Sequence, residues 1–379
     1  MEATMKKSIL AFALILSLGT ALNAQLRSTH YEIIVPAGNP DGAAYSGEME
    51  QRFAAYNKVF CFNPALLSTP LRVRVFTNKA EYDSYVTSKL GNPRPGAVYI
   101  HYQEPANREL VIHRGSDEEK RLVPHQAFVQ FLRAFISNPP VWIREGFAVY
   151  FNTLEYDRTR GTLVYEENLN WLETVKRLTI SPESILQAGP SVPNIQAASW
   201  SLVSFFMAGK TNDYYRALTD SFILLSPSAT AEENTQGVYK RLILFNSIAE
   251  LNRDYQEYIA GKKTFIELIE EGQKAYGSKN FAAAGDLFRR AAELKNTHYA
   301  SYYYLGLLAY EEKKYDDAEA LYRKAFDYGA ERALIQYARG VNAAAAGKKA
   351  EAIGFLEDAS AADSVRYKAR ADELINKLR

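Results

Sequence analysis

Two residues near the middle of the chain, His125 and Glu145, are of types that bind metal ions. A hydrolytic zinc site takes two histidines four residues apart on one helix face and a third ligand from elsewhere, while a glutamate beside the first histidine activates the water. Val129 stands four residues after His125 and cannot donate a lone pair. Gln126 stands at the position of the general base, and an amide has no useful basicity near neutral pH. Two of the four groups that this chemistry needs are therefore absent.

The helix that would carry His125 is predicted from one apolar stripe, which is formed by His125, Phe128, Val129, Leu132 and Ile136. Since proline is tolerated in the first turn of a helix, Pro124 predicts that the helix begins there and that His125 lies near its start. A buried imidazole needs a hydrogen-bond partner, and Glu145 on the next helix is a natural one. On this interpretation the pair ties two helices together without a metal. The aromatic residues of the second helix are then core residues: Trp142, Phe147 and Tyr150.

The second helix contains a Trp-x-x-Glu-Gly-x-Ala-x-Tyr pattern from Trp142 to Tyr150. It resembles the gluzincin-type, peptidase MA-like family, in which His-Glu-x-x-His precedes such a helix, and Ala198-Ser199-Trp200 resembles a later helix of that family. The resemblance covers about residues 30–260. It implies a pseudoenzyme without cofactor, with vestigial ligands at His125 and Glu145 and degenerate positions at Gln126 and Val129. The alternative is an active metallopeptidase whose rebuilt zinc site uses His125 and Glu145.

Another histidine would be needed to complete such a rebuilt site. His101 and His113 are predicted on paired strands just before the helix. Nothing in the sequence fixes their spacing to His125, so we interpret both as ordinary strand residues.

Residues 25–262 are predicted to form one α+β domain, with a mixed sheet followed by helices. The predicted strands are Tyr31–Val35, Leu71–Thr77, Ala97–Tyr102 and Leu110–His113, separated early on by helices at Gly47–Val59 and Asn78–Lys89. After Glu118 the pattern is almost wholly helical. The helices predicted there are Pro124–Ile136, Val141–Phe151, Asn168–Leu178, Gln196–Met207, Asp213–Leu225 and Ile248–Ile259.

A 34-residue repeat covers the last part of the chain. Four columns recur at that spacing: Gly272, Gly306 and Gly340; Ala284, Ala318 and Ala352; Ala291, Ala325 and Ala359; and Phe288, Tyr322 and Leu356. Small residues let two antiparallel helices approach closely, and the large ones are predicted to fill the gap between successive pairs. The units resemble tetratricopeptide repeats. This implies an all-α solenoid over residues 263–379, with a capping helix after three repeats at about 265–298, 299–332 and 333–366.

By this resemblance the first helix of each repeat lines an inner groove. Three rows are expected to face it: Ile269, Tyr303 and Tyr337; Gln273, Leu307 and Val341; and Tyr276, Tyr310 and Ala344. The rows contain no Lys or Arg, so capture of a terminal carboxylate, as in the chaperone-binding members of the family, is not expected. Tyrosine offers a large rigid face with a polar tip, which suits a protein or peptide partner. The alternative is that the terminal helix or the N-terminal domain fills the groove.

The first 24 residues have the pattern of an export signal. Lys6 and Lys7 precede an apolar run from Ile9 to Leu18, and Ala24 offers a small residue for cleavage before Gln25. This predicts a protein on the periplasmic or extracellular side of the cell envelope, without a membrane span after cleavage. The alternative is an uncleaved anchor, although the run is shorter than the roughly 20 apolar residues that a spanning helix needs.

Composition narrows the function further. The chain has 45 basic and 44 acidic residues and a net charge of +1, which is unlike the basic surface of a nucleic-acid-binding protein. Its single cysteine, Cys61, excludes an intrachain disulfide. The apolar neighbours of Cys61 predict a small core residue rather than a reactive thiol.

Overall fold

The computed structural model describes residues 23–36, 42–157, 159–160, 162–165, 167–208, 212–245 and 247–379. These residues form two compact units. The first contains the described residues up to Asn168 and those of Leu178–Tyr255, and the second contains Leu169–Arg177 and Gln256–Arg379. Most of the predicted export signal lies outside the described residues.

The first unit is built on a mixed five-stranded sheet in the order β1-β2-β3-β5-β4. The strands are β1 (Asn23–Arg27), β2 (Tyr31–Pro36), β3 (Leu71–Phe76), β4 (Ala97–Ile100) and β5 (Glu109–His113). β3 pairs in parallel with β2 and β5, while the outer strands β1 and β4 pair antiparallel. The predicted α+β class and the four predicted strands are confirmed. β1 was not predicted, because its first two residues were assigned to the export signal.

Helices cover both faces of the sheet. The early helices are α1 (Gly42–Phe60), α2 (Lys79–Leu90), α3 (Glu119–Phe135) and α4 (Val141–Tyr150). α2 packs Tyr82 and Val86 against Val111. Since side chains alternate along a strand, the buried residues of the opposite face, such as Leu110, lie under α1 and α3. The core between these two helices is aromatic, with contacts among Phe53, Tyr56, Phe60, Phe128, Phe131 and Phe147.

α3 begins at Glu119, so the prediction that His125 lies near the start of its helix is wrong. Pro124 lies in the second turn, where its missing N–H leaves the carbonyl of Lys120 without the usual helical partner. Lys120 is exposed, so water can solvate that carbonyl and the extra turn is tolerated. His125 therefore projects from the middle of α3.

A hairpin and several helices complete the first unit. The elements that follow α4 are β6 (Leu154–Asp157), β7 (Thr162–Tyr165), α5 (Leu172–Arg177), α6 (Pro182–Leu186), α7 (Ile195–Ala208), α8 (Asn212–Ser221), α9 (Ala231–Phe245) and α10 (Ile248–Gly261). α5 belongs to the second unit, and the boundary between the units divides α10 after Tyr255. The β6–β7 hairpin, α6 and α9 were not predicted. Asp157 accepts hydrogen bonds from the N–H groups of Thr159 and Arg160 at 2.9 and 3.1 Å, which is the turn chemistry that the sequence offered.

Cys61 is exposed, so the prediction of a core cysteine is wrong. Its backbone has a φ of 52°, and its N–H donates to the carbonyl of Asn57 at 2.9 Å. A residue in this left-handed conformation ends a helix and turns the chain away. Val59 and Phe60 are buried residues of α1, whereas Cys61 follows the last residue of that helix.

The second unit is a solenoid of helical hairpins. Its helices are α11 (Phe265–Gly277), α12 (Phe281–Leu294), α13 (Tyr299–Glu311), α14 (Tyr315–Asp327), α15 (Arg332–Ala345), α16 (Lys349–Ala362) and α17 (Ser364–Leu378). The all-α solenoid predicted from the repeat is confirmed. Lys176 of α5 also joins this unit, since its ammonium bonds both carboxylate oxygens of Glu267 at 2.8 Å.

The glycine column of the repeat marks the closest approach within each hairpin. A Cβ atom on Gly306 would lie 2.6 Å from the ring of Tyr322, and one on Gly340 would lie 2.7 Å from Cγ of Leu356. The large residue therefore fills the space inside its own helical pair, where the sequence analysis placed it between successive pairs. It also reaches the next pair, because Phe288 stacks on Tyr304 at 4.8 Å.

Candidate functional site

α4 carries Glu145 and packs closely on α7. A Cβ atom on Gly146 would lie 2.5 Å from the carbonyl oxygen of Ser199 and 2.7 Å from Cγ2 of Val203. Only glycine fits this crossing, which brings the start of α7 to Glu145. Gln196 consequently donates to Oε2 of Glu145 at 3.1 Å.

The predicted hydrogen bond between His125 and Glu145 is wrong. The other carboxylate oxygen of Glu145 accepts from Nε of Arg144 at 2.9 Å, so both oxygens are used by α4 and α7. Glu145 acts on His125 through its charge alone and raises the pKa of the imidazole. Burial and the charges of Arg121 and Arg144 outweigh this effect and lower the pKa of His125. The imidazole is therefore neutral at neutral pH.

Gln126 has a structural contact that accounts for its side chain. Its Oε1 accepts the backbone N–H of Tyr99 at 3.1 Å. Tyr99 lies on β4, the outer strand of the sheet, so this bond satisfies an N–H that no further strand pairs. Val129, one turn further along α3, is half-buried. Neither side chain can take a proton from water.

A metal finds few ligands in this site. Among the residues that the structure describes, no group of three or more His, Cys, Asp or Glu side chains is placed to hold an ion. His113 stacks on Tyr82 with ring centroids 5.6 Å apart. The charges of Arg133 and Arg108 act on His101, and such an environment disfavours a dication. The described residues around His125 and Glu145 do not fit the rebuilt zinc site of the alternative interpretation.

Trp142 and Phe147 are buried, as predicted for core residues, and Tyr150 is half-buried. Trp142 lies 6.2 Å from the ring of Phe206 on α7. The aromatic residues of α4 thus hold the helix in place rather than line an open cleft.

A buried ion pair that the sequence analysis missed lies beside a cavity of about 240 Å³. Arg52 bonds Glu48, one turn earlier on α1, at 2.9 Å, and its side chain is only 3% exposed. Arg52 also donates to the carbonyl of Leu154 at 2.9 Å, so it ties α1 to β6. The pair could have been predicted from the sequence, because Glu48 and Arg52 are four residues apart in a predicted helix and such side chains are neighbours on its surface.

Most residues of the three predicted rows of the solenoid are half-buried. These are Ile269, Tyr276, Tyr303, Leu307, Tyr310, Tyr337, Val341 and Ala344, whereas Gln273 is exposed. The structure brings three of the tyrosines together, and we call Tyr276, Tyr303 and Tyr310 the tyrosine surface. Burial raises the pKa of the Tyr276 hydroxyl most, the carboxylate of Glu311 raises it further, and the nearby Tyr303 and Tyr310 add smaller increases.

Hydroxyl groups at the tyrosine surface stay protonated. The hydroxyl of Tyr276 donates to Oε1 of Glu311 at 3.0 Å. Burial, with smaller effects of Tyr304 and Tyr367, raises the pKa of Tyr303 to about 12. Glu311 and Tyr304 were not predicted as part of this surface, although each directly follows a residue of the predicted rows. The surface thus offers aromatic faces with hydroxyl donors and one carboxylate.

The end of the solenoid is covered by its own chain. Tyr337 packs against Tyr367 of α17, with ring centroids 5.1 Å apart. α17 therefore covers Tyr337. At Tyr276 and Tyr310 the described contacts come from α11 to α14.

The sequence matches no protein-family model, and no curated protein matches it significantly. In the described part of the chain, none of the helices combines the length and apolar character required to cross a membrane.

Proposed function

We propose that the protein is a non-catalytic binding protein that captures a protein or peptide segment on its tyrosine surface. The observation that carries this proposal is the grouping of Tyr276, Tyr303 and Tyr310, three half-buried rings from two successive helical pairs. Aromatic rings of this kind bury large areas with little loss of rotamer freedom, and they are enriched among the residues that dominate binding energy.

The distribution of charge in and beside the three rows favours a partner segment that is apolar or basic rather than acidic. The three rows contain no Lys or Arg, and Glu311 beside Tyr276 is exposed. A bound carboxylate would find no cation in these rows, whereas aromatic and aliphatic side chains would find rings to pack on. We infer that the partner presents apolar side chains.

The non-catalytic part of the proposal rests on Gln126 and Val129. The amide of Gln126 is occupied by the N–H of Tyr99, and Val129 offers no ligand atom. We infer that the first unit keeps the framework of a peptidase MA-like domain and has lost its reaction. We also propose that the chain is exported, on the basis of its first 24 residues.

The binding proposal is tested by the double change Tyr303→Ala with Tyr310→Ala. Peptides are first selected from a displayed library on the purified protein from Gln25 onward, and their dissociation constants are then measured for each variant. We expect the double change to weaken binding by about 2–4 kcal/mol, as for central aromatic anchors.

Tyr299→Ala with Tyr328→Ala is the matched control. These two rings pack against the same core cluster as Tyr303 and Tyr310 but lie outside the three rows. The control should retain affinity while losing similar stability. Equal affinity losses in the two double variants would reduce the tyrosines to internal packing and refute the proposal.

Metal content tests the loss of catalysis. The purified protein is expected to hold far less than one equivalent of zinc and to show no proteolysis that a chelator removes. One tightly bound zinc per chain that disappears in His125→Ala would contradict the pseudoenzyme. Gln126→Glu with Val129→His is the constructive test, since it restores the missing base and ligand.

A further inference from the structure

Arg133, in the last turn of α3, is a half-buried cation that forms no ion pair with any residue that the structure describes. Its Nε atom is buried and has no hydrogen-bond partner. Burial lowers the pKa of its guanidinium, and the charges of Arg144 and Arg108 lower it further. A buried charged donor left unpaired is destabilising, so a ligand atom that accepts a hydrogen bond from Arg133 would be stabilising.

Arg108 adds a second cation that is fixed in place. Its Nε donates to the carbonyl of Tyr102 at 2.7 Å, and its Nη2 donates to that of Gln103 at 3.1 Å. Its Nη1 donates to the carbonyl of Arg133 at 3.3 Å. All three acceptors are neutral carbonyls, so the bonds orient the guanidinium without neutralising its charge.

Tyr99 and His101 lie beside these two cations. The Tyr99 hydroxyl is 3.1 Å from Nδ1 of His101, and burial raises the pKa of Tyr99 to about 12. Burial and the charges of Arg133 and Arg108 lower the pKa of His101 to about 4. At neutral pH the Tyr99 hydroxyl is therefore protonated and can donate a hydrogen bond, and the His101 imidazole is neutral.

A purely structural role explains only part of this arrangement. Arg108 donates to a carbonyl in the last turn of α3, where the negative end of the helix dipole stabilises a cation. That role leaves the buried Nε of Arg133 without an acceptor. The carboxylate oxygens of Glu145 accept hydrogen bonds from Arg144 and Gln196, and neither bonds Nε of Arg133.

We infer that Arg133, Arg108 and Tyr99 form a binding site for an anionic group, a carboxylate or a phosphate. Guanidinium groups match both anions, since their N–H groups form charge-assisted hydrogen bonds to paired oxygens. The site belongs to the first unit and is separate from the tyrosine surface.

The test is an NMR titration of the chain from Gln25 onward with inorganic phosphate and, separately, with succinate. Chloride keeps the ionic strength constant, and His101→Gln assigns the imidazole signal. We expect saturable binding of at least one probe together with a rise in the pKa of His101, because the bound anion offsets the two cations. The probe that binds identifies the anionic group, and binding of neither overturns the inference.

Arg133→Gln should weaken binding of that probe by about 10- to 100-fold, as expected for a lost charged hydrogen bond. It should also raise the pKa of His101 without any anion. Arg94→Gln is the matched control, since it removes the same charge from an exposed arginine of the first unit. Equal weakening in both variants would indicate a net-charge effect and refute the site. If Arg133→Gln does not fold, Tyr99→Phe, which removes only the hydroxyl, must weaken binding while Arg94→Gln does not.

Discussion

Gly146→Ala probes the crossing of α4 and α7 that positions Glu145. The added Cβ would lie 2.5 Å from the carbonyl oxygen of Ser199 and 2.7 Å from a methyl group of Val203. The carbonyl belongs to the backbone of α7, so it cannot move aside without shifting that helix. Overpacking a core costs about 1–3 kcal/mol, and this contact belongs at the upper end of that range.

The helical preference of alanine offsets part of this cost. Alanine is favoured over glycine within a helix by about 1 kcal/mol. Subtracting this gain from a cost of about 3 kcal/mol leaves a net destabilisation of about 2 kcal/mol for the first unit. Gly237→Ala in α9 is the matched control. A Cβ atom on Gly237 would lie 3.7 Å from its nearest neighbour, the Cβ atom of Leu224, which is an ordinary van der Waals contact. The control should therefore be neutral or stabilising by up to about 1 kcal/mol.

Tryptophan fluorescence during urea unfolding measures both variants. The chain has three tryptophans, and Trp142 on α4 and Trp200 on α7 report from the two helices at the crossing. We expect Gly146→Ala to shift the unfolding midpoint down and Gly237→Ala to leave it unchanged or raise it. Shifts of the same sign and size in the two variants would mean that α4 and α7 do not approach as closely as described.

Three further predictions concern the buried pair, His101 and the N-terminus. Arg52→Ala leaves the carboxylate of Glu48 buried and unpaired and should destabilise the first unit by about 3–5 kcal/mol in urea unfolding, whereas Arg52→Ala with Glu48→Ala should cost less than the single change. His101, whose folded pKa is lowered to about 4, contributes stability above the unfolded pKa of about 6.5 that is lost as pH falls towards 4. His101→Gln should flatten the dependence of the unfolding midpoint on pH in that interval, and an unchanged slope would contradict the shift. The mature protein should begin near Gln25 on N-terminal sequencing, leaving Gln25, Leu26 and Arg27 to pair in β1, and recovery of Met1 or Met5 would indicate a retained anchor.

Periodic features of the chain were predictable without tertiary information. The 34-residue spacing of Gly272, Gly306 and Gly340 is a local signal repeated three times, and each glycine does face a large residue of its partner helix. Strand alternation likewise predicted four of the five sheet strands. Such patterns arise because side chains return to the same face of a helix every 3.6 residues and to the same face of a strand every two residues.

The partners of individual polar groups were decided only by the tertiary structure. The sequence predicted a hydrogen bond between Glu145 and His125. In the structure, the close approach of α7 at Gly146 places Gln196 within hydrogen-bond distance of that carboxylate instead. The position of α3 along the sheet edge likewise decides that Gln126 accepts the backbone N–H of Tyr99. It also decides that Nε of Arg133 has no acceptor. A hydrogen bond depends on distances of about 3 Å between segments that are far apart in sequence, and residue spacing within one segment carries no information about them.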